Sequence, residues 1–141
     1  MTDKKEIRLL GFNLLKVEAE KNQDFKGKLE IKSNINIKNI EKHKLDLAKQ
    51  DSLKIDFSFD IDYGELGKVI LSGNLFLLTD SKSLKETLNS WKDKKLDSEI
   101  NMAILNIIMQ KASLRAFELE EELGLPLHVQ LPRLQAKTEA S

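Results

Sequence analysis

The chain of 141 residues is long enough for one domain with a substantial core, and its charges balance, with 23 Lys and Arg against 23 Asp and Glu. A net charge of zero argues against a general binder of nucleic acid or anionic membranes, because such proteins normally carry a basic excess. There is no cysteine, which excludes disulfides and thiol chemistry and fits a reducing cytosol.

No segment predicts export of the chain itself or insertion into a membrane. Residues 1–6 are charged and lack the apolar core of a signal peptide behind them. No apolar run reaches the roughly 18 residues that suggest a transmembrane helix. We therefore expect a cytoplasmic protein that does not insert directly into a membrane.

The N-terminal third predicts two strands. The apolar spacing of residues 7–20 is ambiguous between helix and strand, but Gly11 would cost a helix roughly 1 kcal/mol. We favour a first strand with a β-bulge near Gly11. After a turn, apolar and polar residues alternate from Leu29 to Ile40, which predicts a second, half-buried strand. Residues 41–52 are polar and predict a connecting loop.

Residues 53–78 predict a long β-hairpin around which the rest of the chain is organised. Apolar and polar side chains alternate strictly in its first strand, so one face is apolar and the other is charged. Gly64 and Gly67 can take the positive φ that a tight reversal requires. The return strand is apolar on both faces, so we expect the rest of the chain to cover both faces of the hairpin there.

Two helices are predicted to follow the hairpin. Residues 80–95 contain Ser83 and Glu86 at the spacing of a capping box, and a narrow apolar stripe runs along the same segment. Asp97 is a suitable N-cap for the second helix, which is expected to end near Leu123. Gly124 is a suitable C′ residue after it.

The second helix is predicted to be apolar on two neighbouring faces. One face carries Ile100, Ala103, Ile104, Ile107, Ile108 and Ala112. The other carries Met102, Leu105 and Met109, which are candidates for an oligomer interface because so broad an apolar surface indicates burial on more than one side. The acidic residues 118–122 predict a solvated face, with a partner-facing acidic patch as the alternative.

The element order ββββαα predicts an α+β fold, a four-stranded antiparallel meander covered by helices. It is expected to form one domain over residues 1–134, with a disordered tail over 135–141. His43 and His128 are isolated, whereas metal sites need three or four donors, so we interpret each as a surface or loop histidine. No phosphate loop, Gly-x-Ser-x-Gly or cysteine nucleophile is present, and we expect neither an enzyme nor a bound cofactor.

Over residues 7–134 the chain resembles the SecB family of export chaperones. The hairpin is similar to that family's long hairpin of alternating β-branched and aromatic residues around a Gly-containing turn. Gly73 and Phe76 lie where the family has a glycine and an aromatic residue ending the fourth strand. Gly124-Leu-Pro126, followed by Leu131-Pro132, is similar to the segment after the family's second helix.

The chain also departs from the family pattern. The aromatic-Pro-Tyr-Ala-Arg motif on the second long helix is reduced here to Ser113-Leu-Arg-Ala116, and the family's acidic bias is absent. The basic tail that engages the SecA motor ATPase is not evident, since only Lys137 follows Arg133. The resemblance therefore implies the fold and the holding of clients, and leaves a motor partner open.

The resemblance implies a homotetramer, a dimer of dimers, whose outer apolar grooves hold unfolded polypeptide for protein export. It predicts an ATP-independent holdase, which slows folding and aggregation by binding the unfolded state. The candidate client-binding residues are Leu14, Phe25, Phe76, Leu78, Leu125 and Leu127. Met102 and Met109 can add adaptable contacts, although their helical spacing favours a place in the core.

Two alternatives remain open. The first is a dedicated chaperone for one partner such as an antitoxin, as some SecB-like proteins are, and a narrow client range would distinguish it. The second is a small-ligand carrier or enzyme that uses the cavity between sheet and helix, and it predicts a small molecule retained through native purification.

Overall fold

The computed structural model describes residues 7–24, 26–44 and 51–129. Within these residues it contains four antiparallel strands followed by two helices, which confirms the predicted α+β class. The elements are β1 (Ile7–Lys21), β2 (Lys32–Lys44), β3 (Asp51–Asp62), β4 (Gly67–Thr79), α1 (Ser81–Lys92) and α2 (Ser98–Leu123). Leu131, Pro132 and the predicted tail over 135–141 lie outside the described residues.

The strand order is β1-β4-β3-β2, a Greek-key order in which only β2, β3 and β4 form the predicted meander. β1 lies beside β4 at the edge of the sheet, so the link from β1 to β2 crosses the end of the β3–β4 hairpin. The backbone N–H of Asn22 donates to the carbonyl oxygen of Leu66 at 2.7 Å, and its Nδ2 donates to that of Glu65 at 2.7 Å. These bonds attach the link to the hairpin turn.

Two slips in register interrupt β1. Its pairing with β4 shifts at Leu10, next to Gly11, and shifts again at Leu15. The first shift confirms the bulge predicted near Gly11. Each inserted residue resets which side chains face the core, so β1 keeps an apolar inner face although its sequence breaks strict alternation.

The inner face of the sheet forms the core with both helices. The β3–β4 pair contributes Leu53, Ile55, Phe57, Phe59, Ile61, Val69, Leu71, Leu75 and Leu77, none more than 1% exposed. From α2 come Ile100, Ile104, Ile108, Ala112 and Ala116, and Leu84 comes from α1. The alternation predicted for the hairpin is therefore confirmed on its buried face.

The outer face of the sheet changes character from one side to the other. Polar side chains of β2 and β3 occupy one half. On β4, Ile70 and Phe76 lie opposite Asp60 and Lys54 of β3. Leu78 lies opposite Arg8 of β1. These three apolar side chains are only half-buried, and both helices pack on the inner face instead. Among the described residues, the cover predicted for both faces of β4 is therefore complete only on the inner face.

Strand structure extends into both ends of the polar segment 41–52, so the predicted loop was too long. β2 continues to Lys44 and β3 begins at Asp51, with residues 45–50 outside the described part of the chain. Cross-strand ion pairs explain how so polar a sequence stays in a sheet. The ammonium of Lys42 lies 3.5 Å from the carboxylate of Asp51, and Lys54 lies 3.4 Å from Glu41.

The helix ends are set by single residues. Asp80 is the N-cap of α1 and accepts a hydrogen bond from the backbone N–H of Ser83 at 3.1 Å. Ser83 therefore lies inside α1, and the capping box predicted to begin there was wrong. α2 begins after Asp97 and ends at Gly124, whose φ of 70° is left-handed, as predicted. Across the described residues, neither helix is long and apolar enough to span a bilayer.

Candidate functional site

The predicted client-binding residues do not share one surface. Leu14 lies opposite Gly73 and packs against the core from the inner face of β1. Leu125 is 6% exposed and belongs to the core itself. Phe25 falls outside the described residues. Leu14 and Leu125 therefore stabilise the fold, and Leu127 is exposed on a different segment from the sheet.

Phe76 and Leu78 do come together, on the outer face of β4. The Phe76 ring lies over Gly11 of the neighbouring strand, where a Cβ would be 3.7 Å from its Cδ2. On the other side, the ring centroids of Phe76 and His43 are 4.9 Å apart. His43 is therefore part of the sheet surface, and the half-buried Phe76 lies between Gly11 of β1 and His43 of β2.

The two edges of the sheet differ. The β2 edge carries Lys, Asn and Glu side chains at its exposed positions and slips in register after Ile37. Charges and bulges of this kind oppose pairing with another strand. The β1 edge exposes Leu10, Leu15 and Val17, and the side chain inserted at Leu15 is 71% exposed. An apolar partner is thus favoured at the β1 edge.

The predicted oligomer-interface residues of α2 occupy different environments. Met102 is 53% exposed, and Leu105 is half-buried. Met109 packs against the core, with its Sδ 3.5 Å from the hydroxyl of Ser113. Leu114 is also strongly exposed, although it was not among the candidates. The most exposed large apolar side chains of α2 are therefore Met102 and Leu114.

A buried polar cluster joins three parts of the chain near the end of α2. The carboxylate of Glu120 accepts a short hydrogen bond from the hydroxyl of Tyr63 and another from the backbone N–H of His128 at 3.0 Å. The Nδ1 of His128 lies 3.1 Å and 3.0 Å from the two carboxylate oxygens. Both Glu120 and His128 have side chains that are 0% exposed.

The donors around Glu120 fix the roles in this cluster. The carboxylate of Glu120 accepts from the Tyr63 hydroxyl and the His128 backbone N–H, and the Nδ1 of His128 lies at hydrogen-bond distance from it. Burial, then the hydrogen bond and the negative charge of Glu120, raise the pKa of Tyr63 far above its ordinary value, so Tyr63 stays a donor. The Nε2 of the same ring lies 3.0 Å from Ser113 Oγ.

Ser113, His128 and Glu120 thus have the connectivity of a hydrolase triad, but not the access that one needs. A nucleophile must meet a substrate carbon and donors for the oxyanion at about 3 Å. Ser113 is 7% exposed. Phe117 stacks on the His128 ring with centroids 5.0 Å apart, and Phe59 meets it edge-on at 5.6 Å. In this closed arrangement the cluster holds chain segments together.

The sequence did not reveal this cluster, although one signal was present. Glu120 was predicted to lie on a solvated acidic face, and His128 to be an ordinary loop histidine. Glu121 and Glu122 are indeed exposed, but Glu120 is fully buried. It continues the series of buried residues at every fourth position of α2 that includes Ala112 and Ala116. A charged residue in register with such a series indicates a buried acid with a partner.

No cluster of three or more His, Asp or Glu side chains that could hold a metal occurs among the residues with described positions. Comparison with protein-family models, curated proteins and solved structures gives no match for the chain. The SecB resemblance therefore stays a prediction from the residue pattern.

Proposed function

We propose that the protein is an ATP-independent holdase that binds non-native polypeptide, as the SecB-like residue pattern predicts. One observation carries the proposal: Phe76 and Leu78 lie on a sheet face away from the helices that build the core. Apolar side chains grouped on an open face mark a binding surface when they are continuous with further exposed apolar residues. Here Leu10, which is 40% exposed and lies between the partners of Leu77 and Phe76 on the adjacent edge strand, supports that continuity.

In the proposed mechanism, binding is apolar and independent of client sequence. Side chains of an unfolded segment contact Phe76 and Leu78, while its backbone can pair with the free edge of β1. Because the holdase binds the unfolded state, mass action slows folding and aggregation of the client without nucleotide or cofactor. We propose that it works in the cytoplasm, with protein export as one use of the held clients.

We further propose that the protein is a homo-oligomer, a dimer of dimers. The exposed apolar positions of α2, Met102 and Leu114, support this proposal, since each leaves a large side chain in water in the single chain. The balanced charge supports protein partners over nucleic acid. A motor ATPase partner is left open.

The proposal is tested by refolding a slow-folding, unrelated protein from denaturant, with and without this protein and without nucleotide. The expected result is a delay in recovery that grows in proportion to the added oligomer. If refolding is unchanged over a wide excess, the general holdase function is wrong.

The placement of the client site is tested by Phe76→Asp. A charge there removes an apolar contact worth about 1.5–3 kcal/mol, so client affinity should fall roughly tenfold or more. Asn36→Asp, which adds the same charge to the exposed polar half of the sheet, is the matched control and should leave affinity unchanged. Unchanged affinity in a folded Phe76→Asp variant would place the client elsewhere.

The two alternatives make different predictions for the same preparations. A dedicated chaperone for one partner, such as an antitoxin, should delay refolding of that partner alone. A small-ligand carrier should retain a molecule in native mass spectrometry. For that case the cleft of about 280 Å³ near Lys42, Asp51 and Leu84 is the place to look.

A further inference from the structure

Many of the charges on the outer face of the sheet are paired with one another. Three ion pairs join a lysine to a glutamate there: Lys16–Glu18 at 3.1 Å, Lys54–Glu41 at 3.4 Å and Lys68–Glu20 at 3.9 Å. Arg8 and Asp60 stand outside these pairs, one towards each end of β4. They are of opposite sign, so the face offers a cation at one end and a carboxylate at the other.

Arg8 is the cation beside the apolar end of the face. It is exposed and lies opposite Leu78, which is two residues along β4 from Phe76. No ion pair joins Arg8 to a carboxylate within the described residues. A guanidinium forms strong, paired hydrogen bonds with a carboxylate. Arg8 is therefore placed to bind an acidic side chain of a molecule that also contacts Phe76 and Leu78.

Asp60 is the carboxylate towards the other end. It is half-buried and lies opposite Ile70 on β4. Its Oδ1 is closed off from solvent and has no hydrogen-bond partner in the part of the chain that the structure describes. Removing a carboxylate oxygen from water without a partner is unfavourable, and a cation beside the carboxylate offsets that cost.

The surroundings of Asp60 have room for such a cation. Asp60 lines a cleft of about 260 Å³, together with the charged side chains of Glu20, Asp62 and Lys68. Lys68 is paired with Glu20, and Asp62 accepts a hydrogen bond from the backbone N–H of Gly64 at 2.8 Å. Three carboxylates and one ammonium line the cleft, so its charge favours a guanidinium or ammonium group at Asp60.

The register of β4 sets the distance between the two charges. Leu78, opposite Arg8, and Ile70, opposite Asp60, are eight residues apart on the same strand. At about 3.3 Å per residue they lie about 26 Å apart along the strand. An extended segment that lies along β4 covers this distance with eight of its own residues. Because eight is an even number, the side chains at both of its ends face the sheet.

We propose that the outer face selects extended client segments that carry an acidic and a basic side chain eight residues apart, with apolar side chains near the acidic one. The acidic side chain pairs with Arg8, the apolar ones contact Phe76 and Leu78, and the basic one reaches Asp60. This selection rests on the proposed holdase function. The apolar contacts are common to all clients, and the two charges rank the segments and fix their position on the face.

The selection is tested with three unstructured peptides of equal length, blocked at both ends, labelled with fluorescein and added to the whole protein. The first has Asp and Arg eight residues apart, with Phe and Leu near the Asp and Ser elsewhere. The second exchanges the Arg with the preceding Ser, so the spacing is seven. The third has Asn and Gln in place of the two charged residues.

Fluorescence anisotropy should show about fivefold higher affinity for the first peptide than for the third, because each exposed charge contact contributes modestly. The second peptide should keep at most about half of this gain. Its composition is that of the first, but its basic side chain points away from the sheet. Equal affinity for the first and second peptides would overturn the proposed spacing, and with it the selection.

Variants of the protein test the two residues. Arg8→Gln and Asp60→Asn should each lower the preference for the first peptide over the third to about twofold, with affinity for the third unchanged. Lys16→Gln removes a cation from the same strand as Arg8, and Asp93→Asn removes an exposed carboxylate at the end of α1. Both controls should keep the fivefold preference. An unchanged preference in folded Arg8→Gln and Asp60→Asn variants would overturn the assignment.

The outcomes distinguish this selection from the holdase function on which it rests. If all three peptides bind with equal affinity, the selection by charge is wrong, while the apolar client site stands. If no peptide binds and the refolding of the unrelated protein is also unchanged, the holdase function is wrong, and the selection is wrong with it.

Discussion

At Gly73 the sheet has no room for a side chain. Gly73 pairs with Leu14, next to the second slip of β1. A Cβ at this position would overlap the backbone carbonyl oxygen of Asn13. That oxygen cannot move without displacing β1, which gives a steric reason for a glycine inside a strand, where glycine otherwise weakens the sheet.

We expect Gly73→Ala to lower the free energy of unfolding by about 3 kcal/mol, because β1 must shift to accommodate the methyl group. Gly11→Ala is the matched control, since its Cβ would meet Phe76 Cδ2 at an ordinary 3.7 Å. Urea unfolding followed by Trp91 fluorescence measures both. A cost at Gly73 no larger than that at Gly11 would contradict the close approach of the two strands.

Prediction for single residues succeeded where residues nearby in the sequence determine the surroundings of the side chain. It failed where residues far away in the sequence determine them. Gly124 was predicted to end α2 because its role depends only on the local chain direction. The burial of Glu120 depends on Tyr63, 57 residues away, and on His128 beyond the helix end. In the sequence, only the apolar series at every fourth position of α2 indicated that Glu120 is buried, whereas its charge indicated exposure to solvent.

At the scale of elements, local patterns determined the strands but not their order. The alternation in β3 predicted a buried and a polar face, and the structure has both. Strands that follow one another along the chain are expected to pair through a turn, and β2, β3 and β4 do pair in this way. The neighbour of β1 is instead β4, with which it pairs from Ile7 to Lys21, and no periodicity in β1 or β2 encodes that choice. The bonds of Asn22 to the β3–β4 turn hold the link that follows β1.

The start of α1 should depend on pH through Asp80. Hydrogen bonds from the side chain and backbone N–H of Ser83 hold the pKa of the Asp80 carboxyl below its ordinary value. The stabilisation by this cap is therefore complete above the ordinary pKa, and is lost as pH falls through the lowered, folded-state pKa. Asp80→Asn, which still accepts a hydrogen bond, should keep α1 at neutral pH and reduce this acid-dependent loss.

Thermal unfolding at neutral and acidic pH measures the effect, with Asp80→Ala expected to lower the melting temperature at neutral pH. Asp93→Asn is the control, because it makes the same change at the other end of α1, where a negative charge opposes the helix dipole. A drop in melting temperature for Asp93→Asn as large as that for Asp80→Ala would indicate a charge effect unrelated to capping.

For the whole molecule, the packing of the core and the apolar surface that the core leaves exposed both support the holdase proposal. Both helices contribute to the core on the inner face of the sheet, while Phe76, Leu78 and the β1 edge stay open across the part of the chain with described positions. The β2 edge is polar and bulged, which disfavours assembly there. We therefore place the proposed client binding on the β1 side and the proposed self-association on α2.

The proposed oligomer is best tested at Met102. We expect light scattering after size exclusion to give about four times the 16.1 kDa chain mass for the wild type. Met102→Glu should reduce that mass without changing the circular dichroism spectrum, because the 53% exposed side chain contributes little to the core of the single chain. Gln110→Glu adds the same charge to another exposed position of α2 and should keep the wild-type mass. A monomeric wild type would instead leave Met102 and Leu114 available to a different protein, which favours the dedicated-partner alternative.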